Sequence, residues 1–190
     1  MDDLIKKVFK NDLIDHEKWY QKGLDLIDIA KLLEPKINEY WANNSKRKKL
    51  KHFLDCHLMI SSFAIENLLK SIIILLNKDE FEKAMSKTHK LPKLLQEHDL
   101  SKLLDKTGIA IAEQNSKDLL IRLSRAAIWQ GRYPIPLLSN NLPIAGVKSF
   151  GEKPFSGKII SINSQSDIND IQNIINNIQN KYNEITSRCS

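Results

Sequence analysis

One long amphipathic segment constrains the fold of this chain more than any other feature. Between Lys46 and Leu76, apolar or small residues recur at steps of three and four: Leu50, Leu54, His57, Ser61, Ala64, Leu68, Ile72 and Leu75. This spacing indicates one face of an α-helix, which would be about 45 Å long at 1.5 Å per residue. The second half of the segment is apolar nearly all round, as is typical of the central helix of a bundle.

Helical periodicity continues on both sides of this segment. A first helix, predicted over residues 11–34, could be capped by Asn11 or Asp12, and Pro35 marks the start of another. Residues 131–157 hold four of the six glycines and four of the six prolines, which excludes a regular helix there. Four further helices are predicted, the second of them closed by Gly108: residues 91–98, 99–108, 116–129 and 166–185.

These patterns predict an all-α fold. We expect one domain over residues 1–190, an antiparallel up-down bundle of four to five main helices. An irregular loop or short strand over residues 138–165 would precede the C-terminal helix. A chain of 190 residues is long enough to bury a core without disulfides or metals.

Composition says more about where the protein is located than about the reaction it could carry out. The charged N-terminus is no secretory signal, and the apolar run at residues 71–77 is too short to span a bilayer. With only two cysteines, Cys56 and Cys189, we expect a reduced, cytoplasmic location and no membrane. No cofactor is expected, because the sequence has no Gly-rich phosphate loop, no Ser-His-Asp arrangement and no paired carboxylates.

The net charge of +6 is concentrated in one place. Five cations follow each other closely at the start of the long helix: Lys46, Arg47, Lys48, Lys49 and Lys51. Such a cluster can attract phosphates through counterion release, or it can be a solvated helix face. We take Lys46, Arg47 and Lys48 as candidate RNA- or phosphate-binding residues.

Three segments in order resemble bacterial HEPN-domain proteins. "SSFAIENLLKSIIILL" at residues 61–76 is similar to their A-x-E-x-x-L-K helix, "THKLPKLL" at 88–95 to their G-H-D-L-type turn, and "LLIRLSRAAIWQGRYPIPL" at 119–137 to their W-x-G-R-Y-P ending. The resemblance implies an antiparallel helical bundle, often dimeric, in a superfamily rich in RNases, toxins and phage-defence proteins. It also implies that the protein is a homodimer. Its implied partners are RNA or nucleotide, and a nucleotidyltransferase-like antitoxin or other protein.

The chain departs from this family at the residues that carry its chemistry. Catalytic HEPN RNases have Arg-x4-6-His late in the domain, but no histidine follows His98 here. Arg122, Arg125 and Arg132 are therefore arginines without that histidine. Arg47 and His52 do have the Arg-x4-6-His spacing, but on an ideal helix their side chains point some 140° apart.

Several residues have both a functional and a structural interpretation. Arg132 could bind a phosphate while Tyr133 stacks against a base. Alternatively, both residues could be structural: Trp129 would fill the core at the end of the helix, and the prolines that follow would force the chain into an extended conformation. Candidate catalytic residues are Arg125, Arg132 and His89, although His89 could instead cap its turn. Candidate RNA- or phosphate-binding residues are Arg132, Tyr133, Arg125, Lys46, Arg47 and Lys48.

Glu66 and Lys70 form an i, i+4 pair in the favoured order. If Glu66 faces the core, it must be paired, and Arg125 or Arg132 is then its natural partner. Both Glu66 and Lys70 are therefore expected to be structural residues.

The remaining histidines are expected to do less. His57 lies on the apolar stripe as a hydrogen-bonded core residue, whereas His16 and His98 are expected in solvent. His52 and Cys56, at i, i+4, could share a metal, but no third ligand is visible and no metal is expected.

The sequence therefore predicts an RNA- or nucleotide-binding helical protein, with a role in phage defence or a toxin–antitoxin system. One alternative is a metal-independent endoribonuclease with a non-standard residue set. A second alternative is a non-catalytic protein-interaction module.

Overall fold

The computed structural model describes residues 8, 11–87, 91–127 and 164–189. No strand occurs in those ranges, and the predicted all-α bundle is confirmed. The segment predicted to be irregular, 138–165, lies outside the described residues apart from its last two. The helices are α1 (His16–Lys31), α2 (Glu34–Ala42), α3 (Arg47–Leu76), α4 (Lys78–Lys87), α5 (Leu100–Thr107), α6 (Gln114–Arg125) and α7 (Asp167–Cys189).

The predicted central helix is confirmed as α3, a helix of 30 residues. It contacts every other helix of the described chain. Its second half is buried on all sides, because the apolar positions there outnumber those that a single face can hold. The largest fully buried side chains of this stretch are Ile65, Leu68, Leu69, Ile72, Ile73 and Ile74.

The ends of the helices follow local capping chemistry. α1 begins later than predicted, because the side chain of Asp15, and not of Asn11 or Asp12, accepts the amide hydrogens of Glu17 and Lys18. Pro35 lies in the first turn of α2 as expected. Asp99 caps α5, and α5 ends at Gly108 with φ of 69°.

α7 closes the bundle with the isoleucine face that its spacing predicts. Ile171, Ile174, Ile175 and Ile178 are all buried, and Tyr182 stacks on Tyr20 of α1 with 3.8 Å between ring centroids. Burial raises the pKa of the Tyr182 hydroxyl to about 12. The Asn-rich α7 therefore depends on docking for its stability.

A buried ion pair fastens α7 to α6. The Arg122 guanidinium donates to both carboxylate oxygens of Asp167, from Nη1 at 2.5 Å and from Nη2 at 2.9 Å. The Asp167 side chain is 2% exposed and also accepts from the Ser164 amide at 2.9 Å. Arg122, one of the three arginines considered for the missing motif, is thus committed to the fold.

One helix, Asn44–Leu76 with its preceding turn, is long and apolar enough to cross a membrane by those criteria alone. The run at residues 71–77 is therefore part of a longer apolar helix than its own length suggests. However, 72% of the most apolar window is buried inside the bundle, as expected for a core helix.

Candidate functional site

The basic run lies where α2 ends and α3 begins. The Asn43 side chain accepts from the Ser45 amide at 3.1 Å and starts a short 3₁₀ turn, after which α3 begins at Arg47. This local capping places the cations on the exposed first turn of α3. We call this surface the basic junction; it consists of Lys46, Arg47, Lys48 and Lys49 together with Tyr40 and Trp41.

Arg47 is held against two aromatic rings. Its guanidinium carbon lies 5.8 Å from the ring centroid of Tyr40 and 5.5 Å from that of Trp41, within cation–π range. Its Nη2 donates to the Trp41 carbonyl at 3.4 Å, and the two rings meet edge to face. Among the described residues, no carboxylate forms an ion pair with this arginine.

Most of the positive charge at this end of α3 is not cancelled. Lys46 forms an ion pair with Glu39 at 2.6 Å, and Lys46 and Lys36 together lower the pKa of the Glu39 carboxyl. Lys51 forms an ion pair with Asp55 at 2.5 Å. Within the described ranges, Lys48 and Lys49 form no ion pair. Six cations and two carboxylates lie in this part of the chain, which leaves four positive charges unbalanced. The cations are Lys36, Lys46, Arg47, Lys48, Lys49 and Lys51, and the carboxylates are Glu39 and Asp55.

A second group of charged residues lies near the middle of the bundle. The Glu66 carboxylate accepts from Lys70 Nζ at 2.6 Å, and His98 Nδ1 lies 3.0 and 3.1 Å from its two oxygens. The Lys70 side chain is 3% exposed and that of Glu66 10%, whereas that of His98 is 64% exposed. We call Glu66, Lys70 and His98 the Glu66 cluster.

Lys70 is enclosed by more than its carboxylate partner. Its Nζ lies 5.7 Å from the ring centroid of Trp19 on α1, and the indole Nε1 of Trp19 in turn donates to the Leu13 carbonyl at 3.0 Å. The cation is thus desolvated between a carboxylate and an aromatic face. This arrangement differs from the exposed i, i+4 pair that sequence spacing alone can suggest.

The structure corrects the expected partner of Glu66 in this cluster. Glu66 does face the core, but its partners are Lys70 and His98, and among the described residues Arg125 makes no ion pair with it. Arg132, the other partner considered, lies outside the described residues. His98 is exposed to solvent as expected, and its ring in addition contacts the buried carboxylate of Glu66.

An open groove of about 550 Å³ runs beside the segment that carries His98. Glu97 lines this groove, and its Oε1 accepts from the backbone amides of His98 and Asp99. These amides lower the pKa of the Glu97 carboxyl. The lining residues are Lys93, Leu94, Glu97, Lys102, Asp105 and Lys106.

Comparison of the chain with protein-family models, with curated proteins and with solved structures finds no match. The resemblance to HEPN-domain proteins therefore stays a prediction.

The residues expected to act as a site late in the chain are only partly described. Arg125 is half-buried at the end of α6, and its side chain makes no hydrogen bond or ion pair within the described part of the chain. His89, Trp129, Arg132 and Tyr133 lie outside the described residues, so their predicted roles stay predictions.

The other histidines are distributed through the bundle. His57 is buried as predicted, but its Nδ1 has no hydrogen-bond partner among the described residues. His16 was expected in solvent, yet its Nδ1 lies 2.9 Å from the Tyr182 hydroxyl. His52 is exposed against the ring of Phe53, so that it and Arg47 contact different neighbours.

Metal ligands do not gather in the described ranges. No group of three His, Cys, Asp or Glu side chains there is placed to hold an ion, and Cys56 is a free, half-buried thiol.

The Glu66–His98 contact is the feature that sequence reasoning missed. The two residues are 32 positions apart, and periodicity within one helix carries no information about such a pairing. A signal was present, because an acidic residue on an otherwise apolar helical face requires a partner when buried. Because Asp99 caps α5, the sequence places His98 just before that helix. It does not show where α5 docks on α3.

Proposed function

We propose that this protein binds single-stranded RNA through the basic junction. The observation that carries the proposal is the exposed surface of Arg47, Lys48 and Lys49, which no carboxylate of the described chain neutralises, beside the rings of Tyr40 and Trp41. The resemblance to HEPN-domain proteins favours RNA or nucleotide as the ligand.

The residue types fit a nucleic-acid backbone with unstacked bases. Lysines attract phosphates and release their counterions, which makes affinity depend steeply on salt. Aromatic rings offer π-faces on which bases stack without sequence preference, and arginine adds cation–π contacts. Because Arg47 already lies over both rings, the cation is positioned before a ligand arrives, so that less side-chain entropy is lost on binding.

The test measures binding of a fluorescently labelled RNA of about 20 nucleotides by anisotropy over a range of salt concentrations. Each phosphate contact in a single strand contributes about 0.7 to the slope of log affinity against log salt. The double variant Lys48→Ala/Lys49→Ala is therefore expected to bind more weakly, with a slope that is shallower by about 1.4.

A second double variant removes the same charge elsewhere. Lys22→Ala/Lys117→Ala takes two exposed lysines from α1 and α6 and is expected to retain the wild-type affinity and slope. If both double variants weaken RNA binding equally, the effect comes from the net charge of the protein and not from the basic junction. If the wild-type protein fails to bind RNA even at low salt, RNA binding is wrong.

The remaining predictions about partners and biological role rest on the resemblance alone. They are a homodimer, a nucleotidyltransferase-like antitoxin or other partner protein, and a role in phage defence or toxin–antitoxin systems. The predicted cytoplasmic location rests on the cysteine content. A non-catalytic protein-interaction module is the alternative if the anisotropy titration detects no RNA.

A further inference from the structure

We infer that the junction of α1, α2, α3 and α7 binds one internal water molecule, held by His57 and Ser61 of α3 and by Gln172 of α7. This site is independent of the proposed RNA binding and lies apart from the basic junction. It explains why α3 presents two polar residues to the isoleucine face of α7, and it gives the docking of α7 a polar component.

A small cavity lies where these four helices meet. It offers about 10 Å³ to a water-sized sphere, and a cavity of about this size is the smallest that admits a water molecule. Its apolar walls include Ile27 of α1 and Ile171 and Ile175 of α7. The space therefore admits a single water molecule and no larger ligand.

His57 lines this cavity and needs a hydrogen-bond partner. It is 2% exposed, and its Nδ1 has no partner among the described residues. Desolvation lowers the pKa of the imidazole to about 4, so the ring is neutral at pH 7, with one donor nitrogen and one acceptor nitrogen. A water molecule can bond to either nitrogen, because it both donates and accepts.

Two further polar side chains line the same cavity. Ser61 is 2% exposed and lies four residues after His57, on the same face of α3. Gln172 reaches the cavity from α7; its Nε2 donates to Asn176 at 2.9 Å, which leaves its Oε1 to accept. An imidazole, a hydroxyl and an amide give the water three partners, the usual number for an internal water.

The charged residues at the cavity favour a neutral ligand over an ion. Lys31 and Glu34 also line it, but the Lys31 ammonium bonds Asp28 at 3.4 Å on the exposed side of α1. Glu34 is half-buried in the first turn of α2. Within the described ranges, no three His, Cys, Asp or Glu side chains are placed to hold a metal ion.

The water connects α3 to α7 across an otherwise apolar contact. Water-mediated hydrogen bonds are nearly as favourable as direct ones, so the bridge adds to the isoleucine packing. Gln172 lies five residues after Asp167, whose ion pair with Arg122 fastens the start of α7. The first turns of this Asn-rich helix are thus held by two polar contacts, one direct and one through water.

A high-resolution crystal structure of the wild-type protein tests the site directly. We expect one ordered water within about 3.2 Å of a ring nitrogen of His57, of Ser61 Oγ and of Gln172 Oε1. A cavity without density for a water overturns the inference, as does a side chain that fills the space.

Two adjacent serines give a matched pair of variants in solution. Ser61→Ala removes one partner of the water, and magnetic relaxation dispersion of the water oxygen nucleus is expected to lose the contribution of one long-lived water. Ser62→Ala is the control, because the Ser62 hydroxyl is also buried without a partner among the described residues but does not line the cavity. This variant is expected to keep the wild-type signal.

Hydrogen exchange measures what the water does for α7. In Ser61→Ala the amides of α7 are expected to exchange faster by about five- to a hundredfold, the effect of leaving a buried polar group unsatisfied. In Ser62→Ala they are expected to exchange at the wild-type rate. A long-lived water that persists in Ser61→Ala, or equal effects of the two variants, overturns the inference. The RNA-binding titration is unaffected by either result, so the two proposals fail separately.

Discussion

His57 shows how one residue can link the fold to solution conditions. It lies on the core-facing side of α3 and is 2% exposed, and desolvation lowers the pKa of its imidazole to about 4. The folded protein therefore holds this side chain neutral at pH values where the unfolded chain protonates it. Stability from this residue is complete above pH 6.5 and decreases as the pH falls from 6.5 to about 4.

We predict that this single histidine makes the fold sensitive to acid. Between pH 7.5 and pH 5 the wild-type free energy of unfolding is expected to fall by about 2 kcal/mol through His57. In His57→Leu that component should be absent, because leucine has no proton to bind. Urea unfolding at both pH values measures the difference.

The matched control for this experiment is the exposed His52 on the same helix. His52→Leu should retain the acid loss of the wild-type protein. An equal loss in His57→Leu and wild type would show that other groups account for the acid sensitivity.

At the scale of helices, α1 and α3 approach each other closely at one glycine. A Cβ atom placed on Gly23 would lie 2.7 Å from Leu68 Cδ2 and Cγ and 3.2 Å from the Ala64 carbonyl oxygen. Leu68 is fully buried, so it has little room to move away. The absence of a side chain at residue 23 therefore sets the separation of the two helices.

We predict that Gly23→Ala destabilises the protein by about 1–3 kcal/mol, the usual cost of overpacking a core. Thermal or urea unfolding measures this change. Gly108→Ala is a useful comparison, since a Cβ there meets nothing within 4 Å and only the φ of 69° opposes it. A stabilised Gly23→Ala variant would show that the helix interface has free space.

The helices themselves were largely predictable, and their partners were not. The 3.6-residue period of α3 and the Gly108 signal at the end of α5 are local, so one sequence contains all that is needed to read them. Sequence periodicity does not identify the contact between Glu66 and His98, because it forms when α5 docks on α3. The basic junction lies between these cases, since its cations were recognised while the placement of Arg47 over Tyr40 and Trp41 required the fold.

For the whole molecule, the pair between Arg122 and Asp167 joins the last helix to the rest of the bundle. Both side chains are nearly buried, with exposed fractions of 11% and 2%. We predict that Arg122→Met destabilises the protein by about 3–5 kcal/mol, because it leaves the Asp167 carboxylate buried without its cation. Equilibrium unfolding in urea gives the value.

The double variant Arg122→Met/Asp167→Asn tests the reason for that loss. It removes the buried charge as well as its partner and is expected to recover a large part of the stability. If the double variant is as unstable as the sum of both single changes, the pair contributes through packing and not through charge.

The stacking of Tyr182 on Tyr20 has a consequence for the order in which the protein is made. Synthesis proceeds from α1 towards α7, so α1 leaves the ribosome well before the helix that covers it. Until α7 arrives, the ring of Tyr20 and the neighbouring apolar face remain open to water and to other chains. This apolar face of the nascent protein therefore stays exposed, and open to aggregation, until α7 has been made and docks.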